Sequence, residues 1–367
     1  METNSHSLIW PSLLELPPDD IVVVYLDLNH WIGLSQASVG HSKGSSFIEV
    51  LEACRNARSA GTAVFVLSGT IYAEVQKIKK PAQRQALAEV MEELTDFATL
   101  VSRVVVMECE ISAMLDPFAK YPSPLRKVPL IGRGVRHAFG LNSGIAIMGP
   151  SGDETERVRA SMGTQEFDQF MSNMVVSFER SVLRGPSDSD DAQSLRELGW
   201  NPEGPARVAE GRAELERELT TILDSEQRWR RGRLRDIISV RELEIEFQNI
   251  LPRALKERGL VLGEVMSDQE SARRFVRSMP STEVSIELKT TWHRNGERKW
   301  VVNDIYDIDA LAVATPYCDV VVTEKACTHI LAVAGLSERM GTVLLHRLGD
   351  LPSILGERKS KRPLTQI

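Results

Sequence analysis

The feature that most constrains this fold is a short apolar run, Val22-Val23-Val24-Tyr25-Leu26, that leads into Asp27 and Asn29. A short run rich in β-branched residues is typical of a strand buried in a parallel sheet. If the strand continues, Asp27 and Asn29 share a face, because residues two apart in a strand point the same way. They would then project together near the carboxyl end, where open α/β sheets bind ligands. The alternative is that Asp27 simply caps a following helix.

A second stretch repeats this arrangement. The run Val64-Phe65-Val66-Leu67 predicts another buried strand, and the segment after it predicts a helix that Ser68 or Thr70 can cap. The apolar stripe of that helix consists of Ile71, Val75 and Ile78. Glu74 borders the stripe in the first turns, so its carboxylate is expected near the end of the second strand.

A third stretch, residues 302–325, predicts an acid-led helix, a tight turn at Pro316 and a buried strand that ends at Glu324. Asp304 and Asp307 are three residues apart and share one helical face, whereas Asp309 points away and is held in reserve. The alternative is that these acids only complement a helix N-terminus. The three stretches can bring their carboxylates together only if their strands are parallel neighbours.

This ordered set of acids resembles the PIN domain family of metal-dependent nucleases. The matching residues are Asp27, Glu74, either Asp304 or Asp307, and Glu324, with Asn29 in the usual small polar position. The match covers roughly residues 21–100 and 300–350. There are two departures from the pattern: Glu324 stands where Asp is more usual, and Lys325 follows it directly.

The resemblance implies an α/β fold with a three-layer PIN-like core built on a parallel sheet. We expect this core to comprise residues 21–108 and 300–350, with a large, mainly helical insertion over 109–299. Residues 104–107 predict a further short strand, and residues 158–183 predict one or two helices. The mixed charges of residues 207–227 predict a helix with a solvated face. The apolar side of the 158–183 segment is expected in the core and consists of Phe167, Phe170, Met171, Met174 and Phe178.

The function that the resemblance implies is phosphodiester hydrolysis by an endoribonuclease that uses Mg²⁺ or Mn²⁺. Carboxylates suit these hard cations, which neutralise developing phosphate charge and activate water. The expected ligands are Asp27, Glu74, Asp304 and Asp307, with Glu324 at a second, weaker site and with Asn29 and Thr323 in support.

Two alternatives remain open at this stage. One is an inactive PIN-like module that binds RNA or protein, in which the ammonium of Lys325 stands in for a metal. The other is a phosphatase with Asp27 as nucleophile, which ranks last because Asn29 replaces the second Asp that such enzymes usually carry.

The formal net charge of −7 means that any nucleic-acid binding must use a local basic patch. The strongest candidate is a cluster around Trp229, because arginines pair with phosphates and stack on bases. It consists of Arg228, Arg230, Arg231 and Arg233. The alternative is that these arginines form ion pairs with neighbouring glutamates.

Composition narrows the remaining classes. The apolar runs fall well short of a membrane span, and residues 1–11 lack the pattern of a signal peptide, so no membrane partner is expected. Four cysteines without metal-ligand spacing indicate reduced thiols in a cytoplasm. The pattern leaves open RNA or DNA as substrate, the cellular pathway, a regulatory protein partner and a homo-oligomer.

Overall fold

The computed structural model describes residues 7–141, 146–197 and 201–357. It is a mixed α/β structure, mainly helical, with a small parallel sheet at its centre. The strands are β1 (Leu14–Glu15), β2 (Val22–Leu26), β3 (Ala63–Val66), β4 (Ala98–Leu100), β5 (Val128–Pro129), β6 (Ile131–Arg133), β7 (Met148–Gly149), β8 (Gly152–Asp153), β9 (Val320–Val322) and β10 (Val343–Leu345). The α-helices are α1 (Leu28–Ser38), α2 (Ile48–Ser59), α3 (Gly69–Val75), α4 (Pro81–Thr95), α5 (Arg103–Leu115), α6 (Gly134–Ala138), α7 (Thr155–Met162), α8 (Thr164–Arg184), α9 (Ser189–Glu197), α10 (Glu203–Ser225), α11 (Gln227–Gly232), α12 (Leu234–Arg241), α13 (Ile250–Glu257), α14 (Leu262–Val265), α15 (Gln269–Arg277), α16 (Pro280–Arg294), α17 (Val302–Tyr317), α18 (Lys325–Val333), α19 (Leu336–Met340) and α20 (Leu351–Glu357). Short 3₁₀ helices occupy Ser42–Phe47, Asp116–Phe118 and Leu348–Asp350, and Glu242–Glu246 is π-helical.

The central sheet has four parallel strands in the order β10-β9-β2-β3. Every residue of β2 is buried, as its apolar run predicts, and Val24 pairs with Phe65 on one side and Val320 on the other. From β2 the chain proceeds through α1 and α2 to β3, whereas β9 leads through α18 and α19 to β10. The connections therefore leave in opposite directions between β2 and β9, which makes the crevice at their carboxyl ends a topological switch point.

A buried carboxylate fixes the register of β2 and β9. The side chain of Asp319, directly before β9, accepts a hydrogen bond of 2.8 Å from the backbone N–H of Val23. In return the backbone N–H of Asp319 donates to the carbonyl of Val23 at 3.0 Å. A one-residue slip would break both bonds and bury the Asp319 carboxylate without them, so the register is strongly specified.

Two local predictions are wrong. Residues 104–107, expected to form a strand, lie in α5, because Ser102 caps that helix by accepting from the backbone N–H of Val105. Pro316, expected in a tight turn, lies in the last turn of α17, which ends at Tyr317. For residues 104–107, a run of β-branched residues therefore does not predict a strand, because a helix cap precedes it and other helices pack against it.

The predicted insertion packs into the rest of the chain. The helix α5 crosses the expected boundary at residue 108, and Val284, Leu288 and Trp292 of α16 belong to the same apolar core as the sheet. A second core cluster joins α5 to α10, α12, α13 and α16. On α8 only part of the expected apolar side is buried: Phe167 is 2% exposed, whereas Phe170, Met174 and Phe178 are 37–47% exposed.

Ion pairs with little exposure to solvent connect α10 to α17 and to the π-helical segment. The prediction that α10 has a solvated face did not include them. Arg212 of α10 pairs with Asp309 of α17 and with Glu246, and Arg103 of α5 reaches Asp309 at 3.0 Å. On α16, Lys289 lies within 3.2 Å of three glutamates. These are Glu216, Glu242 and Glu246. We call these residues the buried ion network: Arg103, Arg212, Glu216, Glu242, Glu246, Lys289 and Asp309.

Within the described residues, no helix combines the length and the apolar character that crossing a membrane requires.

Candidate functional site

Asp27 lies at the switch point of the sheet. Its backbone N–H donates to the carbonyl of Val322, at the end of β9, over 2.9 Å. Its carboxylate caps α1 by accepting from the backbone N–H of Leu28 at 2.7 Å. The expectation that β2 continues through Asn29 is therefore wrong, because the cap starts a helix directly after Asp27. Capping leaves the second carboxylate oxygen of Asp27 for other interactions.

Glu74 is held by α3 after the neighbouring strand β3. Ser68 caps this helix by accepting from the backbone N–H of Ile71, as predicted, and Ile71 and Val75 are buried. Since these two residues anchor the apolar stripe, Glu74 between them is only half-buried.

The three aspartates of α17 have different surroundings. Both oxygens of Asp304 have partners: one pairs with Arg298 and the other caps the helix by accepting from the backbone N–H of Val301 at 2.8 Å. Asp309 belongs to the buried ion network, so it cannot replace its neighbours as a ligand. Asp307 has neither kind of partner among the described residues, and it is the aspartate that faces the other acids.

Glu324 completes the group of acids. It follows β9 and Thr323, and its Oε1 accepts a hydrogen bond of 3.2 Å from Asn29 Nδ2. Asn29 therefore reaches the site from the first turn of α1 rather than from a strand. Thr323 is buried and its backbone N–H bonds the carbonyl of Leu345, so it positions Glu324 without exposing its own hydroxyl.

The electrostatics show which acids are neighbours. Burial raises the pKa of Asp307 to about 8, with further contributions from Asp27, Glu74, Glu324 and Asp304. Burial also raises the pKa of Glu74 to about 7, and Asp27 and Glu324 add to that shift. The pKa of Asp27 is raised as well, by burial first and then by Glu324. We call Asp27, Glu74, Asp307 and Glu324 the acid cluster, since the other three all raise the pKa of Asp307.

One cation near the acid cluster, Lys77, was not predicted from the sequence. Lys77, three residues after Glu74, donates to Asn303 Oδ1 at 2.9 Å and lies 4.3 Å from the ring centre of Tyr306. Burial lowers the pKa of Lys77, while Glu74 and Asp307 raise it. Within the described part of the chain it forms no ion pair with a carboxylate. Its position three residues after Glu74, in the turn that follows α3, was the signal that could have identified it.

The acid cluster carries only oxygen donors, the type that hard divalent cations prefer. Over residues 7–141, 146–197 and 201–357, however, no three His, Cys, Asp or Glu side chains are arranged to hold a metal ion as they stand. The acids are thus close enough to repel one another, but they do not form a preformed coordination sphere. Neutralising this repulsion is what a bound cation could do.

The predicted arginine cluster lies on α11 and the residue after it. Arg228 pairs with Glu226 and Arg230 with Asp224, whereas Arg231 and Arg233 are exposed and form no ion pair within the described ranges. Arg230 also packs on Gly296, where an added Cβ would lie 2.6 Å from its Nη1. Gly296 belongs to the loop that leads into α17. The arginine cluster therefore borders the same loop as Arg298, which pairs with Asp304.

Comparison with family models, with curated proteins and with solved structures found no match for this chain. What the acid cluster does must therefore be inferred from its own chemistry. That chemistry consists of four carboxylates at a sheet crevice, one amide that orients one of them, and one nearby ammonium.

Proposed function

We propose that this protein is a divalent-metal-dependent nuclease that cleaves RNA. The single observation that carries the proposal is the acid cluster at the switch point of a parallel sheet. Its members come from four separate segments, spread over about three hundred residues, and yet Asp27, Glu74 and Glu324 all raise the pKa of Asp307, and Asp27 and Glu324 raise that of Glu74. Such a costly grouping of carboxylates is typical of a functional site rather than of a structural one.

The donor chemistry of the acid cluster fits Mg²⁺ or Mn²⁺. Asp27, Glu74 and Asp307 would hold the ion, and Glu324 would contribute from the exposed side. When bound, the ion supplies charge neutralisation for the phosphate and a more acidic water. Asp304 is not part of this proposal, although the sequence suggested it, because Arg298 and the backbone already occupy its oxygens.

The remaining residues of the site bind and orient. Asn29 holds Glu324 in place through its amide, and both side chains are exposed, so a phosphodiester can approach them from solvent. Lys77 adds a positive charge beside Glu74 and Asp307 that can attract a phosphate oxygen. A PIN-like three-layer core is part of the proposal. It is supported by Asp27 and Glu324, which follow the neighbouring parallel strands β2 and β9, by Glu74 on the helix after β3, and by Asp307 on the helix before β9.

An inactive scaffold that binds RNA or protein is the second candidate. The cation that would stand in for a metal is Lys77 rather than Lys325, because Glu74 and Asp307 act on the pKa of Lys77, whereas Lys325 is exposed. The lack of an ion pair between Lys77 and any described carboxylate favours the nuclease. The phosphatase stays last, since one oxygen of Asp27 is committed to capping α1.

Cleavage of labelled single-stranded RNA tests the proposal. We expect cleavage with Mg²⁺ or Mn²⁺, loss of it in excess chelator, and recovery when the metal is restored. A matched single-stranded DNA of the same sequence separates the two substrates. Cleavage that continues in chelator would refute the metal dependence, and binding of RNA without cleavage would favour the scaffold.

The arginine cluster gives a second, independent prediction. Replacing Arg231 and Arg233 with Ala should weaken RNA binding and flatten its dependence on salt. Each lost phosphate contact reduces the log–log slope by about 0.7 for a single strand. Filter binding between low and moderate salt measures this slope. The control is the double replacement of Arg180 and Arg184 on α8, whose side chains are 47% and 41% exposed and pair with Glu92 and Glu89. An equal change in both variants would show a non-specific loss of charge.

A further inference from the structure

A cavity of about 420 Å³ lies beside the two helices that carry Glu74 and Asp307. It is formed by α3, α5, α10 and α17, and Ala73 and Tyr306 in its wall are the chain neighbours of those two acids. No member of the acid cluster lines it. The cavity is therefore a separate site, and its size falls within the range of small-molecule pockets.

Most of its wall is apolar. Met107 and Val313 are buried, and Val104 and Val208 are 52% and 67% exposed, so the latter two lie where the cavity opens to solvent. Apolar walls with an open side allow a ligand to enter and to gain free energy by leaving water.

The charged part of the wall is balanced. It comes from the buried ion network: Arg103, Arg212, Glu246 and Asp309, two cations and two anions. They pair with one another, for example Arg103 with Asp309 at 3.0 Å and Arg212 with Glu246 at 3.0 Å. Because these charges compensate each other, the cavity offers no net charge to an ionic ligand.

Three polar atoms of wall residues are buried: Arg103 Nε, Arg212 Nε and the Tyr306 hydroxyl. Arg103 is 6% and Tyr306 5% exposed. Because neither solvent nor a molecule in the cavity reaches these three atoms, they add no polar surface to the wall. The surface that a ligand meets is therefore mainly apolar.

We infer that this cavity binds a neutral, largely apolar small molecule. Its apolar body lies against the walls from α5, α10 and α17. The inference does not depend on the proposed nuclease activity, because none of the acid cluster takes part.

A neutral dimethylaminonaphthyl ketone dye is a suitable probe, since it has a flat apolar body, one carbonyl acceptor and fluorescence that reports on its surroundings. We expect saturable binding to the full chain with a blue-shifted emission, and much weaker binding of the anionic anilinonaphthalene sulfonate. Val208→Trp should weaken binding of the ketone at least about tenfold by filling the opening. Tyr306→Phe should bind the ketone as the wild type does, because the buried hydroxyl does not reach the cavity.

Val333→Trp is the matched control, because Val333 is a helical valine that is 74% exposed elsewhere on the molecule. It should bind the ketone as the wild type does. Thermal melts should show that all three variants fold, and Tyr306→Phe should melt like the wild type because its hydroxyl has no described partner to lose. Absence of saturable binding, or equal binding by Val208→Trp and the wild type, would overturn the inference.

Discussion

Replacing Asp307 with Asn is expected to reduce Mg²⁺-dependent RNA cleavage by at least about 100-fold. Loss of residues that merely orient a metal ligand commonly costs about 10–100-fold, so loss of a ligand should cost no less. Asp307 is the best choice because its pKa, at about 8, is shifted by all other members of the acid cluster. Asn keeps the shape of the side chain and removes its charge, so the fold should survive.

The same variant should lose most of the stabilisation that Mg²⁺ gives the wild type. In chelator, folding at neutral pH must protonate Asp307, because burial and the neighbouring acids raise its pKa to about 8. Asn removes this cost and should stabilise the protein by roughly 1–3 kcal/mol. With Mg²⁺ at a hundred times its dissociation constant, the wild type should gain about 2.7 kcal/mol that the variant largely lacks. Thermal melts of both proteins, in chelator and in Mg²⁺, measure the two differences.

The control lies one helical turn away. Asp304→Asn keeps a side-chain acceptor for the backbone of Val301 and loses only the ion pair with Arg298. It should retain both the cleavage and the stabilisation by Mg²⁺. If the two variants respond to metal alike, or if Asp307→Asn responds as the wild type does, the acid cluster is not a metal site.

Replacing Lys289 with Met is expected to destabilise the protein by about 3–5 kcal/mol, the cost of removing one partner from a buried ionic group. Lys289 is 4% exposed and bonds three glutamates. Burial lowers its pKa, but Glu216, Glu242 and Glu246 outweigh burial and raise it, so the ammonium is firmly charged. Met preserves most of the volume but leaves those carboxylates without their cation.

Two further variants distinguish lost charge from lost packing. Lys120→Met removes a single exposed pair with Glu264 and should cost no more than about 1 kcal/mol. Adding Glu216→Gln to Lys289→Met should restore part of the stability, since it removes one of the uncompensated charges. Urea unfolding of the four proteins gives the free energies. Equal losses at positions 289 and 120, or no recovery with Glu216→Gln, would contradict the ionic explanation.

Local patterns predicted the elements that carry the acid cluster. The run before Asp27 gives β2, and Ser68 with the stripe of Ile71 and Val75 gives the helix of Glu74. These predictions succeed because the strand is buried on both faces and because the cap and the stripe lie within one helical turn. Such signals require no knowledge of distant residues.

The predictions that were wrong or incomplete depend on competition between neighbouring sequence signals. The spacing of Asp27 and Asn29 suggested a shared strand face, but Asp27 is a strong helix cap and starts α1 instead. The three aspartates on α17 could not be separated by helical geometry alone. Their roles are decided by Arg298 and Arg212, and the second of these lies 97 residues away from its partner.

The buried ion network could not be predicted at all from local pattern. The mixed charges of α10 suggested a solvated face, yet Glu216 is buried and the Arg212 side chain is only 22% exposed, and both form ion pairs with residues of α16, α17 or the π-helical segment. An arginine that pairs with water and one that pairs with a distant carboxylate look the same in sequence. Only the tertiary arrangement decides between them.

The pairing of β2 with β9 has a consequence for how the chain acquires its site. Val23 and Asp319 are 296 residues apart, and Asn29 and Glu324 are 295 apart. During synthesis, Asp27 and Glu74 leave the ribosome long before Asp307 and Glu324 are made. The two acids that emerge first therefore have no partners until the rest of the chain is synthesised. Contacts of such long range form slowly, whereas helices can form as they emerge. The acid cluster is therefore the last part to assemble, and a ribosome-bound or truncated chain that ends before residue 307 holds only two of its four members.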